Sequence, residues 1–302
     1  MNTKSLSLAK PQYWPAWFGL GLLWLIIHLP YRWQLKIGEK IGLFLSLFPS
    51  KFKVITQKNI ELCFPDLSPS QQKQLVKKNF SSLGIGLIET GMAWWLPDSK
   101  LKNLYTLHGY EHIEAAFAKG KGAILLGPHF TCLEIVGRLL SRQYEFAVMY
   151  RPHKKPMVSF IHERFRKQKS VHYIARHRMR DLLRALEKKM VVWYAYDVDG
   201  GKKRSVFAPF FGIQTASLTA ASRIVQLSGA AVIPISFYRR DDGLGYEIFL
   251  SPALENFPSD NLVDDATRLN VTVEQAIRNK PEQYVWQYKR FKTRPEGEKR
   301  LY

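Results

Sequence analysis

His129 follows the apolar run Gly122 to Gly127, and Glu134 comes five positions later, within the stretch LLGPHFTCLE. A carboxylate held on one imidazole nitrogen fixes the tautomer and leaves the other nitrogen to take a proton from a hydroxyl. Inside one ideal helix, residues five apart point about 140° away from each other, so the two meet only if His129 precedes the helix. Pro128 and Thr131 agree with that arrangement. Thr131 is placed to cap the helix, with Glu134 at the third helical position reaching back in a capping box. The same geometry serves an acid–base pair or a helix cap, and spacing alone leaves both open.

A second constellation is VVWYAYDVDGG, an apolar strand that ends in Asp197, Val198, Asp199 and Gly200. Two carboxylates after a strand can hold Mg²⁺ and position a phosphate, as in a metal-dependent phosphatase or glycosyltransferase. The other reading is a turn closed by aspartate side chains. Cys132, on an apolar helical position, is a packing cysteine rather than a nucleophile. His153, His162, His172 and His177 stand among arginines without metal-ligand spacing and belong to a solvated basic surface. There is no G-x-S-x-G elbow, H-E-x-x-H pair or phosphate-binding G-x-x-x-x-G-K-[ST] loop.

These residues need strands to carry them. Apolar strand-like runs occur at 122–127, 146–150, 190–196, 230–238 and 246–251. Helical patterns separate several of them, near 131–142, 156–168, 178–189 and 215–228. Strand alternating with helix predicts an α/β fold with a mixed, mostly parallel sheet covered by helices. In such sheets, ligands collect outside the carboxyl ends of the strands, where His129 falls. Ser68 followed by Pro69 predicts a long helix over 69–95.

The chain of 302 residues carries a formal net charge of +20 and only two cysteines, Cys63 and Cys132. The charge points to anionic partners, and the cysteine usage to a reducing compartment without a disulfide framework. Between Met1 and Lys58 eight Lys or Arg face one acid, and between Arg151 and Arg180 ten face one. Both stretches interleave base with aromatic or apolar residues, a pattern that suits a headgroup layer as well as it suits nucleic acid. The run from 13 to 29, YWPAWFGLGLLWLIIHL, predicts a hydrophobic membrane-anchoring helix that spans or lies re-entrant, with Trp14, Trp17 and Trp33 near the interfaces. The basic excess after it places the rest of the chain in the cytoplasm, and IGLFLSLF at 41–48 lies along the same surface. This divides the chain into a membrane element at 1–49 and a catalytic domain at 50–302.

His-x4-Glu after an apolar strand resembles the H-x4-[DE] signature of glycerolipid and lysophospholipid acyltransferases, with glutamate where many of those relatives have aspartate. Longer matches accompany it: NIELCFPDLS at 59–68, ETGMAWWLPD at 89–98, YRP at 150–152, VVWYAYDVDGG at 191–201, SVFAPFFG at 205–212 and RFKTRPEG at 290–297. Together they resemble the HtrB/MsbB-type late acyltransferases of lipid A biosynthesis, from the N-terminus almost to the C-terminus. The resemblance implies transfer of a fatty acyl chain, lauroyl foremost, from acyl carrier protein to a hydroxyl of an acyl chain on Kdo-bearing lipid IVA. It implies the inner membrane with the catalytic domain on the cytoplasmic side, no cofactor, no metal and no nucleic acid. By the same resemblance His129 is the general base oriented by Glu134, and Arg151, Asp197, Arg204, Phe211 and Gly212 bind substrate. Phe207 and Phe210 join Phe211 as possible channel walls, with core packing as their alternative.

Overall fold

The computed structural model describes residues 10–150, 157, 159–161, 164 and 171–302. Four helices come first: α1 (Trp14–Ile26), α2 (Tyr31–Leu47), α3 (Lys51–Cys63) and α4 (Pro69–Trp95). Next are the single turn α5 (Asp98–Leu101), β1 (Tyr105–His108), α6 (Glu111–Ala118), β2 (Ala123–Gly127), α7 (Leu133–Leu140) and β3 (Phe146–Tyr150). Then follow β4 (Val171–Ala175), α8 (Met179–Glu187), β5 (Val191–Ala195), β6 (Ser205–Phe210), β7 (Ile213–Leu218) and α9 (Ala220–Ser228). The order closes with β8 (Ala231–Arg239), β9 (Tyr246–Leu250) and α10 (Leu262–Asn279).

Seven strands form one sheet in the order β1-β9-β8-β2-β5-β3-β4. Every neighbouring pair is parallel except β8–β9, so β1 and β9 run against the other five. The exception follows from chain length: a short connection between Arg239 and Tyr246 turns back as a hairpin, whereas parallel neighbours need a long crossover. The middle strand, β2, is buried along its whole length between β8 and β5. This is the mixed, mostly parallel sheet covered by helices that the alternating pattern predicts. The sequence reading did not include β1 and β4, which lie at the two sheet edges and have polar residues in short runs, nor α3 and α10.

Two further expectations change. The helical pattern over 215–228 starts as strand: Ile213–Leu218 pairs antiparallel with Ser205–Phe210, and the helix begins only at Ala220. Alternating Thr215 and Ser217, both buried, suit a pleated strand once β6 is beside them. Most of the 156–168 pattern lies outside the described residues, as do Arg151, His153 and His162.

The expected membrane-anchoring helix is also corrected. Among the described residues no helix is long and apolar enough to cross a membrane. The apolar run breaks after Ile26, leaving α1 with 13 residues, about 20 Å of helix against a hydrocarbon core of about 30 Å. Pro30 lacks the N–H that would continue the ladder, and it disfavours helical geometry in the residue before it. The chain therefore breaks into two separate helices at this point, and 41–48 becomes the end of α2.

Both helices rest on α4, which extends over the predicted span. Ser68 Oγ accepts from the Gln71 N–H at 3.3 Å, and Gln71 Oε1 accepts from the Ser68 N–H at 2.8 Å, a reciprocal cap before Pro69. Where α2 crosses α4, Gly38 and Gly42 face Gly84 so closely that a methyl at Gly84 would run into the Gly38 carbonyl, and one at Gly42 into the Phe80 carbonyl. Leu23 of α1 packs over Gly91 further along α4. Gly84→Ala should therefore force the helices apart and cost about 2–3 kcal/mol, read as a lower thermal midpoint by circular dichroism. Gly19→Ala, whose methyl meets nothing, should leave the midpoint unchanged or higher.

Candidate active site

β2 and β5 are parallel neighbours in a register that sets Gly127 opposite Ala195. Two residues past each strand end stand His129 and Asp197, so the register delivers both to the same edge of the sheet. Asp197 grips the histidine twice: Oδ2 accepts from the His129 backbone N–H at 2.8 Å, and Oδ1 lies 2.7 Å from Nδ1. Ionised Asp197 can only accept, so Nδ1 carries the proton and Nε2 is the free base. The Asp197 side chain is 2% exposed and that of His129 36%. Burial by itself would lower the His129 pKa, but the Asp197 charge and hydrogen bond outweigh it, and His129 titrates above its ordinary value. Burial would likewise raise the Asp197 carboxyl, and the charge and hydrogen bonds of His129 hold it below the usual range.

The carboxylate on Nδ1 is thus Asp197, where the sequence reading had Glu134. The capping box is corrected as well. The N-cap of α7 is Cys132, without a side-chain cap, and the Thr131 hydroxyl instead meets Ser82 Oγ of α4 at 2.7 Å. Glu134 sits in the first turn of α7, where a carboxylate complements the helix dipole. It lines, together with His129, a cavity of about 350 Å³. The rest of that wall is mainly apolar, from Leu133, Val136, Val148, Met149, Ile235 and Phe237. Trp193 of β5 also lines it and stands edge-on to the imidazole, centroids 5.3 Å apart. The apolar cavity beside a polarised histidine suits an acyl chain whose reacting end must meet a base.

The remaining expected site residues lie elsewhere. Phe211 and Gly212 make the two-residue turn between β6 and β7, both at positive φ, and neither lines the cavity. The Phe211 ring packs on Phe64 and under the Arg278 guanidinium, 4.6 Å from its centroid. Phe210 packs on Phe211 and under the Arg290 guanidinium, and Phe207 is half-buried on β6. Arg204 is exposed at the start of β6. Asp199 does not converge with Asp197: its oxygens accept from Gly201 N at 2.8 Å, Thr293 N at 2.7 Å and Thr293 Oγ1 at 2.9 Å. This is a turn closed by aspartate. Among the described residues no group of three or more His, Cys, Asp or Glu could hold a metal ion. Cys132 is fully buried and its thiol is pushed up to about 12, chiefly by burial, which makes it a packing residue at neutral pH.

Sequence reasoning missed the strap that steadies His129. Val285 N–H donates to the His129 carbonyl at 2.9 Å, and Thr131 N–H donates to the Gln283 carbonyl at 2.8 Å. Asn79 of α4 holds the same strap by its Glu282 and Tyr284 carbonyls, at 2.9 and 2.7 Å. Nothing in the sequence pairs positions this far apart.

Residues 1–293 match the model of the bacterial lipid A biosynthesis acyltransferase family. The chain belongs to that family. Its similarity to the lipid A biosynthesis palmitoleoyltransferase of Escherichia coli (strain K12) is 38% identity over 299 residues, covering 99% of this chain and 97% of that one. To the lauroyltransferase of the same organism it is 38% over 296 residues, covering 97% and 96%. The myristoyltransferase matches at 25% over 299 residues, covering 97% and 91%. Family membership decides for an acyltransferase of lipid A biosynthesis over the phosphatase or glycosyltransferase that the D-x-D alone allowed. In this acyltransferase the acid limb of the kcat/KM profile should lie above about 6.5, the ordinary histidine value. Asp197→Asn should move that limb to lower pH, because burial then acts unopposed, and should cut the rate about 10²- to 10⁴-fold. A limb that stays in place would separate Asp197 from the titrating group.

Proposed function

We propose that the enzyme transfers a fatty acyl chain, lauroyl foremost, from acyl carrier protein to a hydroxyl of an acyl chain on Kdo-bearing lipid IVA, with His129 as general base. The observation that carries this reading is the buried Asp197 on Nδ1 of a histidine whose ring lines an apolar cavity. His129 Nε2 takes the proton of the acceptor hydroxyl as its oxygen attacks the thioester carbonyl carbon. The carbon–sulfur bond then breaks, and the imidazolium returns the proton to the departing thiolate. Asp197 stabilises the imidazolium between those two steps. Glu134 serves on the same cavity as the second carboxylate near the acceptor. Net positive charge favours both substrates, since the acceptor carries phosphates and carboxylates and the carrier protein is acidic.

On this reading the enzyme works at the cytoplasmic face of the inner membrane, and helices α1 and α2 rest within the headgroup layer without crossing it. Trp14, Phe18, Trp24, Trp33, Phe44 and Leu47 are all exposed, and Lys36, Lys40, Lys51 and Lys53 are interleaved with them. An exposed apolar patch rimmed by lysines fits an anionic lipid surface. Co-sedimentation with vesicles containing phosphatidylglycerol should weaken with salt and fall sharply in Phe18→Glu and Phe44→Glu. Undiminished binding by both variants would remove α1 and α2 from the interface.

The function is tested by acyl transfer to Kdo-bearing lipid IVA from carrier protein loaded with C10 to C16 chains, with and without chelator. His129→Ala should lose about 10³-fold or more, and Glu134→Gln should also lose activity, with chelator making no difference. The preferred donor reads the chain length directly, which matters because the lauroyl- and palmitoleoyl-transferring relatives match equally well. Full transfer by His129→Ala would overturn the assignment of the base.

A further inference from the structure

Glu89 opens the ETGMAWWLPD stretch of α4, is fully buried, and takes no part in the chemistry above. Its carboxylate binds the guanidinium of Arg239, at the end of β8, in a two-pronged ion pair. Nε donates to Oε1 and Nη2 to Oε2, both at 2.7 Å. The Tyr246 hydroxyl donates to Oε1 as well, at 2.8 Å. Taking two charges out of water costs several kcal/mol for each ion, and a well-packed apolar replacement is often equally stable. Stability is therefore a weak reason for this pair, and what it holds in place is a better one.

The donors of Arg239 left over from Glu89 lead to the His129 loop. Nη1 donates to Ser82 Oγ at 3.2 Å, Ser82 Oγ meets Thr131 Oγ1 at 2.7 Å, and Nη2 lies 3.5 Å from that same Thr131 oxygen. The Arg239 backbone leads there by a second route. Gln283 clasps it in both directions, accepting from its N–H at 2.8 Å and donating to its carbonyl at 3.0 Å. The Gln283 carbonyl in turn accepts from Thr131 N–H at 2.8 Å, while Val285 N–H holds the His129 carbonyl at 2.9 Å. Gly86 of α4 lets the Thr131 carbonyl approach so closely that a methyl there would come within 2.5 Å of it.

We propose that Glu89 and Arg239 are positioning residues for His129, an ionic lock that fixes the 129–131 loop through Thr131, Ser82 and Gln283 and so sets the distance from the imidazole to Asp197. This rests on His129 being the base. The lock acts through geometry: its charges are engaged with each other, and the ring it positions is polarised by Asp197 alone. Among the described residues the other ionisable groups on the His129 cavity are Glu134 and Arg138 of α7, Tyr150 of β3 and Tyr173 of β4, with Tyr284 beside Asp197. Loosening the loop lengthens the His129–Asp197 contact, lowers the imidazole basicity and misplaces Nε2. Most of the cavity wall comes from α7, β3, β4 and β5, while α4 and β8, which carry the lock, add only Ala93, Trp94, Ile235 and Phe237, so the binding of the acyl donor is largely spared.

The experiment compares Glu89→Gln, Arg239→Lys and Thr131→Val in the full-length enzyme, with activity expressed per folded molecule. Acyl-donor kcat and KM are measured, and the His129 ring is titrated by NMR using His129→Ala for assignment. Expected is a fall in kcat of about 10- to 100-fold with KM unchanged, and a His129 titration moved to lower pH. A purely structural pair would lower the thermal midpoint yet leave the titration and the kcat per folded molecule as in the parent, which overturns the proposal. Should either charge variant fail to fold, Thr131→Val decides alone, since it is uncharged and nearly the same shape. If His129→Ala still transfers at the parent rate, the acid–base reading fails, and the NMR titration judges the lock separately.

Discussion

A buried carboxylate beside a histidine is the constraint around which this fold is arranged. Asp197 is excluded from water, and an ionised carboxylate is tolerable there chiefly because its two oxygens accept from the His129 backbone and ring, with a lesser contribution from the Tyr284 hydroxyl. Those bonds require the ends of β2 and β5 to be level, which the parallel register guarantees. They also require the residues after Gly127 to leave the sheet in an extended path instead of entering α7 at once. Pro128 provides that delay, since its ring disfavours helical geometry at Gly127. The apolar cavity then follows from position, because the strand ends and the first turns of α7 leave a gap walled by the sheet's own apolar side chains.

The C-terminal part of the chain makes this arrangement rigid. Asn59 of α3 and Asn79 of α4 each donate to two backbone carbonyls of the strap between Glu282 and Tyr288, all within 2.7–2.9 Å. Further on, buried Arg290 donates to the Ala216 carbonyl and Ser217 Oγ on β7, and Thr293 closes the Asp199 turn. A buried amide is costly unless its donors are used, and Asn59 and Asn79 each use both N–H groups on strap carbonyls, so they specify one path for the strap. RFKTRPEG, one of the blocks that carry the family resemblance, thus holds β7 through Arg290 and the Asp199 turn through Thr293, while the D-x-D divides its work: Asp197 bonds His129 and Asp199 closes a turn.

The N-terminal helices are tied into the same framework. Seating α2 in glycine contact on α4 joins its exposed apolar face to the helix that carries Glu89 and the Ser82 hydroxyl. Close helix crossings leave little room for relative movement, so that face and the loop that carries His129 share one rigid support.

Sequence alone determined the alternating α/β pattern, five of the sheet strands, the span of α4 and the place of His129 just beyond a strand end, because each is written in local periodicity or in a short motif. It also carried the family, through blocks dispersed over nearly the whole chain. Tertiary structure decided which carboxylate serves the histidine. Glu134 is five residues away in sequence and Asp197 sixty-eight, yet the register of two strands brings the distant one into contact and turns the near one into the wall of a cavity. It also decided that the apolar N-terminal helix stops at Ile26, short of a span, that Phe211 and Gly212 form a turn, and that Glu89 meets Arg239 across the fold. Local sequence encodes periodicity and turns. Which buried charge finds which partner depends on contacts between elements far apart in the chain, and no spacing rule records them.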